Sequence, residues 1–182
     1  MKIQIKLILS ALLASISVST SALQVGDQAP DFLLKATDGK TYSLSQYRDQ
    51  QAVVIAWYPM AYTRGCTIEC KSLAQNGHLL KRLEVAYFMA SVDSLEDNQG
   101  FAKETKADFP LLSDPSKKTA KAYDVLAFYG VPKRHTFYIG KDGKILFIDT
   151  QINPATSAED MAAKLEELGV PENDQTVLTA VR

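Results

Sequence analysis

The chain has 182 residues, 46% of them hydrophobic and 23% charged, with a formal net charge of -1 at pH 7. That is enough chain to build one domain with a full core, and the composition excludes a disordered or repeat-built protein. A nucleic-acid partner is also excluded, because it would require a clustered basic excess.

The first two dozen residues read as a leader. Lys2 and Lys6 precede an apolar segment, Leu7 to Val18, that is short for a bilayer span, and Thr20-Ser21-Ala22 offers small residues for cleavage. Residues 1–22 are therefore expected to be a signal peptide cut near Ala22. The mature protein would be periplasmic or secreted, without stable membrane association; an uncleaved anchor is the competing reading. No cysteine follows the apolar segment, which argues against a lipid-modified cysteine.

Residues 23–172 are expected to form the folded domain and residues 173–182 a C-terminal tail, with tail character beginning over the final dozen. Asp31 to Lys35 and Lys40 to Leu44 flank the hairpin signal Asp38-Gly39. Gln51 to Tyr58 is a continuous apolar run rich in β-branched residues, as a buried central strand requires, and Pro59 ends it. A helix is predicted from Cys66 to Leu83, then a second buried strand from Val85 to Val92. Asp93 to Asn98 reads as a loop before a short helix, Gln99 to Lys106.

Phe109 to Leu112 predicts a short strand, and Pro115 suits the first turn of a helix reaching Tyr123. Thr136 to Ile139 and Lys144 to Ile148 flank a second hairpin turn, Lys141-Asp142-Gly143. Ser157-Ala158-Glu159-Asp160 reads as a capping box for a last helix, terminated by Gly169 and Pro171. Strands alternating with helices imply an α/β fold with a central sheet covered on both faces.

The richest stretch chemically runs from Tyr58 to Cys70. Cys66 follows a strand and a turn, where a helix should begin, with the Thr63 hydroxyl three residues before it. Helix N-termini offer unpaired N–H groups and partial positive charge, which favour thiolate over thiol in general. At 100° per residue Cys66, Cys70, Leu73, Gly77 and Leu80 share one face, which places Cys66 at the floor of a shallow pocket.

The cysteine pair is a poor structural staple. Helical positions four apart hold their Cβ atoms about 5–6 Å apart, whereas a disulfide needs roughly 3.5–4.5 Å. A bond between them would require unwinding the first turn. An inert core thiol is the bland reading of Cys70.

Pro59, Thr63 and Cys66 match the Pro-x-x-x-Thr-x-x-Cys signature of the peroxiredoxins, members of the alkyl hydroperoxide reductase/thiol-specific antioxidant superfamily. Gly65-Cys66-Thr67-x-Glu69 further resembles the Q-type branch, also called bacterioferritin comigratory proteins. The likeness covers nearly the whole mature chain. It extends through Val25 to Phe32, Ser113-Asp114-Pro115, Ala120 to Tyr123, and Arg134-His135-Thr136-Phe137.

The resemblance implies a thioredoxin-like fold, a central mixed sheet flanked by helices with an N-terminal β-hairpin extension. It also implies a thiol peroxidase of the thioredoxin-dependent type acting on hydrogen peroxide or small organic hydroperoxides. Cys66 would attack the peroxide and become a sulfenic acid. Arg134 would hold the developing negative oxygen, Thr63 would orient the thiolate or peroxide, and Pro59 would shield the sulfur.

Two departures stand out. Q-type members with a second cysteine usually carry it where this chain has Lys71, so Cys70 comes one residue early. Either Cys70 resolves sulfenic Cys66 after local unwinding and a thioredoxin-like dithiol reduces the disulfide, or the enzyme uses one cysteine and an external thiol. Arg64 also replaces the proline that often precedes the glycine.

Glu69 reads as a first-turn helix carboxylate rather than a catalytic acid. His78 and His135 are too isolated for a metal site, and the absence of a Gly-rich phosphate loop argues against an organic cofactor. A monomer is expected over a dimer, as is common in this branch.

Two other functions compete. An exported thiol–disulfide oxidoreductase would normally use Cys-x-x-Cys and a proline directly before the facing strand, where Arg134-His135-Thr136 stands and Pro132 lies too early. A non-catalytic binding module would not need Pro59, Thr63, Cys66 and Arg134 together.

Overall fold

The computed structural model describes residues 22–173. The expected signal peptide, apart from Ala22, and residues 174–182 of the expected tail lie outside the described residues. Among those described, no helix is long and apolar enough to cross a membrane.

Seven strands follow in chain order: β1 (Leu33–Ala36), β2 (Thr41–Ser43), β3 (Ala52–Trp57), β4 (Val85–Ser91), β5 (Leu111–Ser113), β6 (His135–Ile139) and β7 (Ile145–Asp149). They form one sheet in the order β2-β1-β5-β4-β3-β6-β7. The pairs β3–β4 and β4–β5 are parallel, and the remaining neighbours are antiparallel. The expected N-terminal hairpin is thus an antiparallel extension attached at β5.

The apolar run of β3 is buried at all six positions, and its alternation sorts the core into two layers. Val53, Ile55 and Trp57 pack with Phe88, Phe137 and Tyr123, whereas Val54, Ala56 and Tyr58 pack with Cys66, Cys70, Phe101 and Met161. The second layer is built by α1 (Arg64–Asn76), α2 (His78–Lys81), α3 (Leu95–Thr105) and α5 (Ser157–Glu167). On the first lies α4 (Lys118–Ala122).

Several boundaries differ from expectation. The helix predicted from Cys66 begins at Arg64 and breaks at Gly77, where an added Cβ would meet the Tyr87 hydroxyl at 2.7 Å. The supposed loop at Asp93–Asn98 already contains the start of α3, because Ser94 caps it by accepting from Asp97 N. The predicted capping box at Ser157 is not formed: Thr156 is the N-cap of α5, and its hydroxyl donates to Asp160 Oδ2 at 2.6 Å. Nor is the end of the domain loose. Pro171, Glu172 and Asn173 run beside Arg82–Glu84 through two backbone bonds of 2.8 Å and an antiparallel bridge.

Candidate active site

Strand β3 delivers the chain to the sheet's C-terminal edge, where a short loop turns it into α1. The loop is fixed by α3 and its approach. Ala61 N donates to Asp93 Oδ2 at 2.9 Å, and the Tyr62 hydroxyl donates to Asp97 O at 3.1 Å. Tyr62 has φ +63, a left-handed conformation uncommon for a bulky residue. Its ring rests edge-on against Phe101, and Gly100 makes room for the hydroxyl.

Beneath the loop, buried Tyr58 donates to Asn98 Oδ1 at 2.6 Å, and Asn98 Nδ2 donates to Ser113 Oγ at 2.8 Å. Asn98 thus ties the loop to β5. Nothing in the sequence pattern singled it out.

Cys66 is the third residue of α1 and has no exposed surface. The shallow pocket expected above it is therefore closed in this conformation. Arg134, at the entrance to β6, donates from Nη2 to Cys66 Sγ at 3.1 Å. Its Nη1 donates to Glu69 Oε2, one helical turn from Cys66. Gly65 eases the fit of the guanidinium: a Cβ there would sit 3.2 Å from Nη2, close enough to push it by a few tenths of an ångström.

Thr63 is the N-cap of α1, but its hydroxyl donates to Met60 O at 2.9 Å and makes no side-chain cap bond. Its lone pairs remain available as acceptors. Pro59 is half-buried at the end of the β3 run, and Arg64 is exposed. The structure thus brings Cys66 and Arg134 together directly, with Thr63 and Pro59 in the adjoining loop.

Glu69 differs from its sequence reading. It belongs to the second turn of α1, has no exposed surface and anchors Arg134. Burial pushes its carboxyl up to about 7, against the opposing influence of Arg134 and of Ser157, whose hydroxyl lies 3.5 Å from Oε1. The available signal was its spacing from Cys66 and Leu73, which sets all three on the buried face. Burial alone would lower the Arg134 pKa, but neighbouring Glu69 and Cys66 outweigh it and raise it.

Cys70 lies one turn deeper. Both cysteines are free thiols, and Cys70 Sγ is 3.1 Å from Thr105 Oγ1 of α3. Burial pushes its thiol up to about 11, partly relieved by Thr105 and reinforced by Glu69 and Cys66. The site therefore pairs a sulfur held by a cation with a second sulfur kept neutral by its surroundings.

Comparison with known proteins gives a consistent set of likenesses. The profile of the AhpC/TSA family matches residues 25–148. Peroxiredoxin Bcp of Bacillus subtilis (strain 168) is 31% identical over 132 residues, covering 68% of this chain and 83% of the relative. A chloroplastic peroxiredoxin Q of Populus jackii is 32% identical over 146 residues, covering 79% of this chain and 68% of the relative.

Among solved structures, peroxidoxin BcpB from Mycobacterium tuberculosis is similar with TM-score 0.72 and 27% identity, covering 80% of this chain and 97% of that one. A mutant PrxQ of Xylella fastidiosa gives TM-score 0.74 at 25% identity, covering 81% and 98%.

Proposed function

Since this chain belongs to the AhpC/TSA family, as a Q-type/Bcp-like peroxiredoxin and hence a thiol-dependent peroxidase, we propose that Cys66 is its peroxide-reactive nucleophile. The observation that carries this reading is the 3.1 Å contact between Arg134 Nη2 and Cys66 Sγ at the start of α1. The Cys66 thiolate attacks one oxygen of the peroxide: an S–O bond forms, the O–O bond breaks, and the alkoxide or hydroxide leaves to take up a proton. Arg134 stabilises the negative oxygen as it develops. The product is sulfenic Cys66.

Hydrogen peroxide and small organic hydroperoxides are the proposed substrates, since a sulfur with no exposed surface favours small molecules over bulky ones. Cys70 then attacks the sulfenic sulfur, forming a disulfide and releasing water, and a thioredoxin-like dithiol restores both thiols. The step requires the first turns of α1 to unwind, since a regular helix holds the two Cβ atoms too far apart.

A second reading, direct reduction of sulfenic Cys66 by an external thiol, is favoured by the burial of Cys70 and its bond to Thr105. Export with cleavage near Ala22 remains part of the proposal, on the strength of the Lys2–Ala22 pattern, and N-terminal sequencing of secreted protein tests it.

Replacing Cys66 with serine should abolish peroxide consumption; retained activity would refute the assignment. Mass spectrometry after one equivalent of peroxide separates the two resolution routes. An intramolecular disulfide supports Cys70, and a persisting or overoxidised Cys66 supports the one-cysteine route.

A further inference from the structure

An unpartnered polar atom lies behind the catalytic pair. Thr136 is 1% exposed, and its Oγ1 has no hydrogen-bond partner. Along β6, Phe137 and Ile139 join one core layer and Tyr138 the other, so Thr136 faces the layer of α1 and α5. In that layer a cavity of about 10 Å³ is lined by Thr136, Tyr138, Asp149, Ser157, Asp160 and Met161, among others. A polar cavity of this size holds about one water molecule when it offers two or more partners.

One lining residue connects this cavity to the chemistry. Ser157 is 1% exposed, and its Oγ lies 3.5 Å from Glu69 Oε1, while the other carboxylate oxygen of Glu69 holds Arg134. We propose that the cavity is a water site, and that this water, Thr136 and Ser157 form a positioning relay that favours the ionised form of Glu69, the anchor of Arg134.

The donors run in one direction. The Thr136 hydroxyl donates to the water, the water donates to Ser157 Oγ, and the Ser157 hydroxyl donates to the Glu69 carboxylate. Hydrogen bonds in such a chain polarise one another, and donation to a carboxylate favours its charged form. No proton changes hands. The relay fixes a charge whose partner, Arg134, touches the reacting sulfur.

Glu69 is open to such control because opposing influences meet there. Burial favours its neutral form. The other ionisable groups on the elements packed here are Cys66 and the neutral Cys70 of its own helix, Glu159 and Asp160 of α5, and Asp149 of β7, and any negative charge among them would act the same way. Arg134 is the opposing cation, and Ser157 adds a neutral donor. Removing one donor shifts the balance toward the protonated acid.

The relay rests on the assignment of Cys66 and Arg134 above, and its test reads Glu69 directly. The full chain carrying 13C-labelled glutamate is titrated by NMR, with the Glu69 resonance identified by its loss in Glu69→Gln. Ser157→Ala should raise the Glu69 midpoint by about one pH unit, and Thr136→Val by about half a unit. Ser157→Thr and Thr136→Ser, which keep the hydroxyls, should return it to the wild-type position. The acid limb of the rate of Cys66 oxidation should move with it.

A Thr136→Val protein whose Glu69 midpoint and rate profile match wild type would overturn the water relay, since the hydroxyl would then be idle. A wild-type chain that fails to react with peroxide would instead refute the peroxidase assignment of Cys66, leaving the titration to judge the relay alone.

Discussion

One helical turn separates Cys66 from Cys70, and neither has any exposed surface, yet their surroundings differ in kind. Cys66 meets the Arg134 guanidinium and the start of a helix. Cys70 meets a hydroxyl and apolar side chains, and burial pushes its thiol up to about 11. Burial by itself therefore does not define the surroundings of a cysteine. What distinguishes the two is the cation at one of them, and the buried carboxylate that aims it.

The largest effect expected from breaking this contrast is at Arg134. In Arg134→Met, Cys66 should come to resemble Cys70, and second-order oxidation by hydrogen peroxide should fall about 10²- to 10³-fold in stopped-flow measurements. Glu69→Gln should have a smaller effect, roughly 10- to 100-fold, because the guanidinium is kept but loses its charged anchor. Gly65→Ala should cost less again. Its Cβ would crowd Arg134 Nη2 at 3.2 Å, so the same assay should show a loss of a few-fold, with Cys70 untouched.

The smallest effect is on folding. Burial raises the Glu69 carboxyl from 4.5 to about 7, so across that window the folded protein binds more of this proton than the unfolded chain does. Its raised pKa therefore makes stability decline as pH rises through that window. Urea midpoints should show this slope in wild type and a flatter one in Glu69→Gln.

Much of this contrast was legible in the sequence. The β-branched run ending at Pro59, followed by Thr63 and Cys66, located a strand, a turn and a helix start, and the family pattern supplied Arg134. The layered sheet followed from the alternation of strand and helix signals.

Glu69 was misread because a carboxylate near a helix start is normally solvated there. Its buried role depends on a guanidinium arriving from 65 residues away along the chain. The same non-local character hid Asn98 and Ser157. Asn98 looks like loop polarity until β4 and β5 close around it, and Ser157 looks like a cap until α5 docks on α1. Gly77 was the subtler case. A glycine inside an apolar helical pattern gave no warning that the helix would break there, or that Tyr87 would approach too closely for a Cβ.

The most direct test lets the two sulfurs compete within one molecule. Reduced wild-type protein at pH 7 is mixed with one equivalent of hydrogen peroxide, quenched on a millisecond scale with a sulfenic-acid trap, and mapped by mass spectrometry. Cys66 should carry the trap at the earliest times while Cys70 remains an unmodified thiol. First labelling at Cys70, or equal labelling of both, would contradict the account.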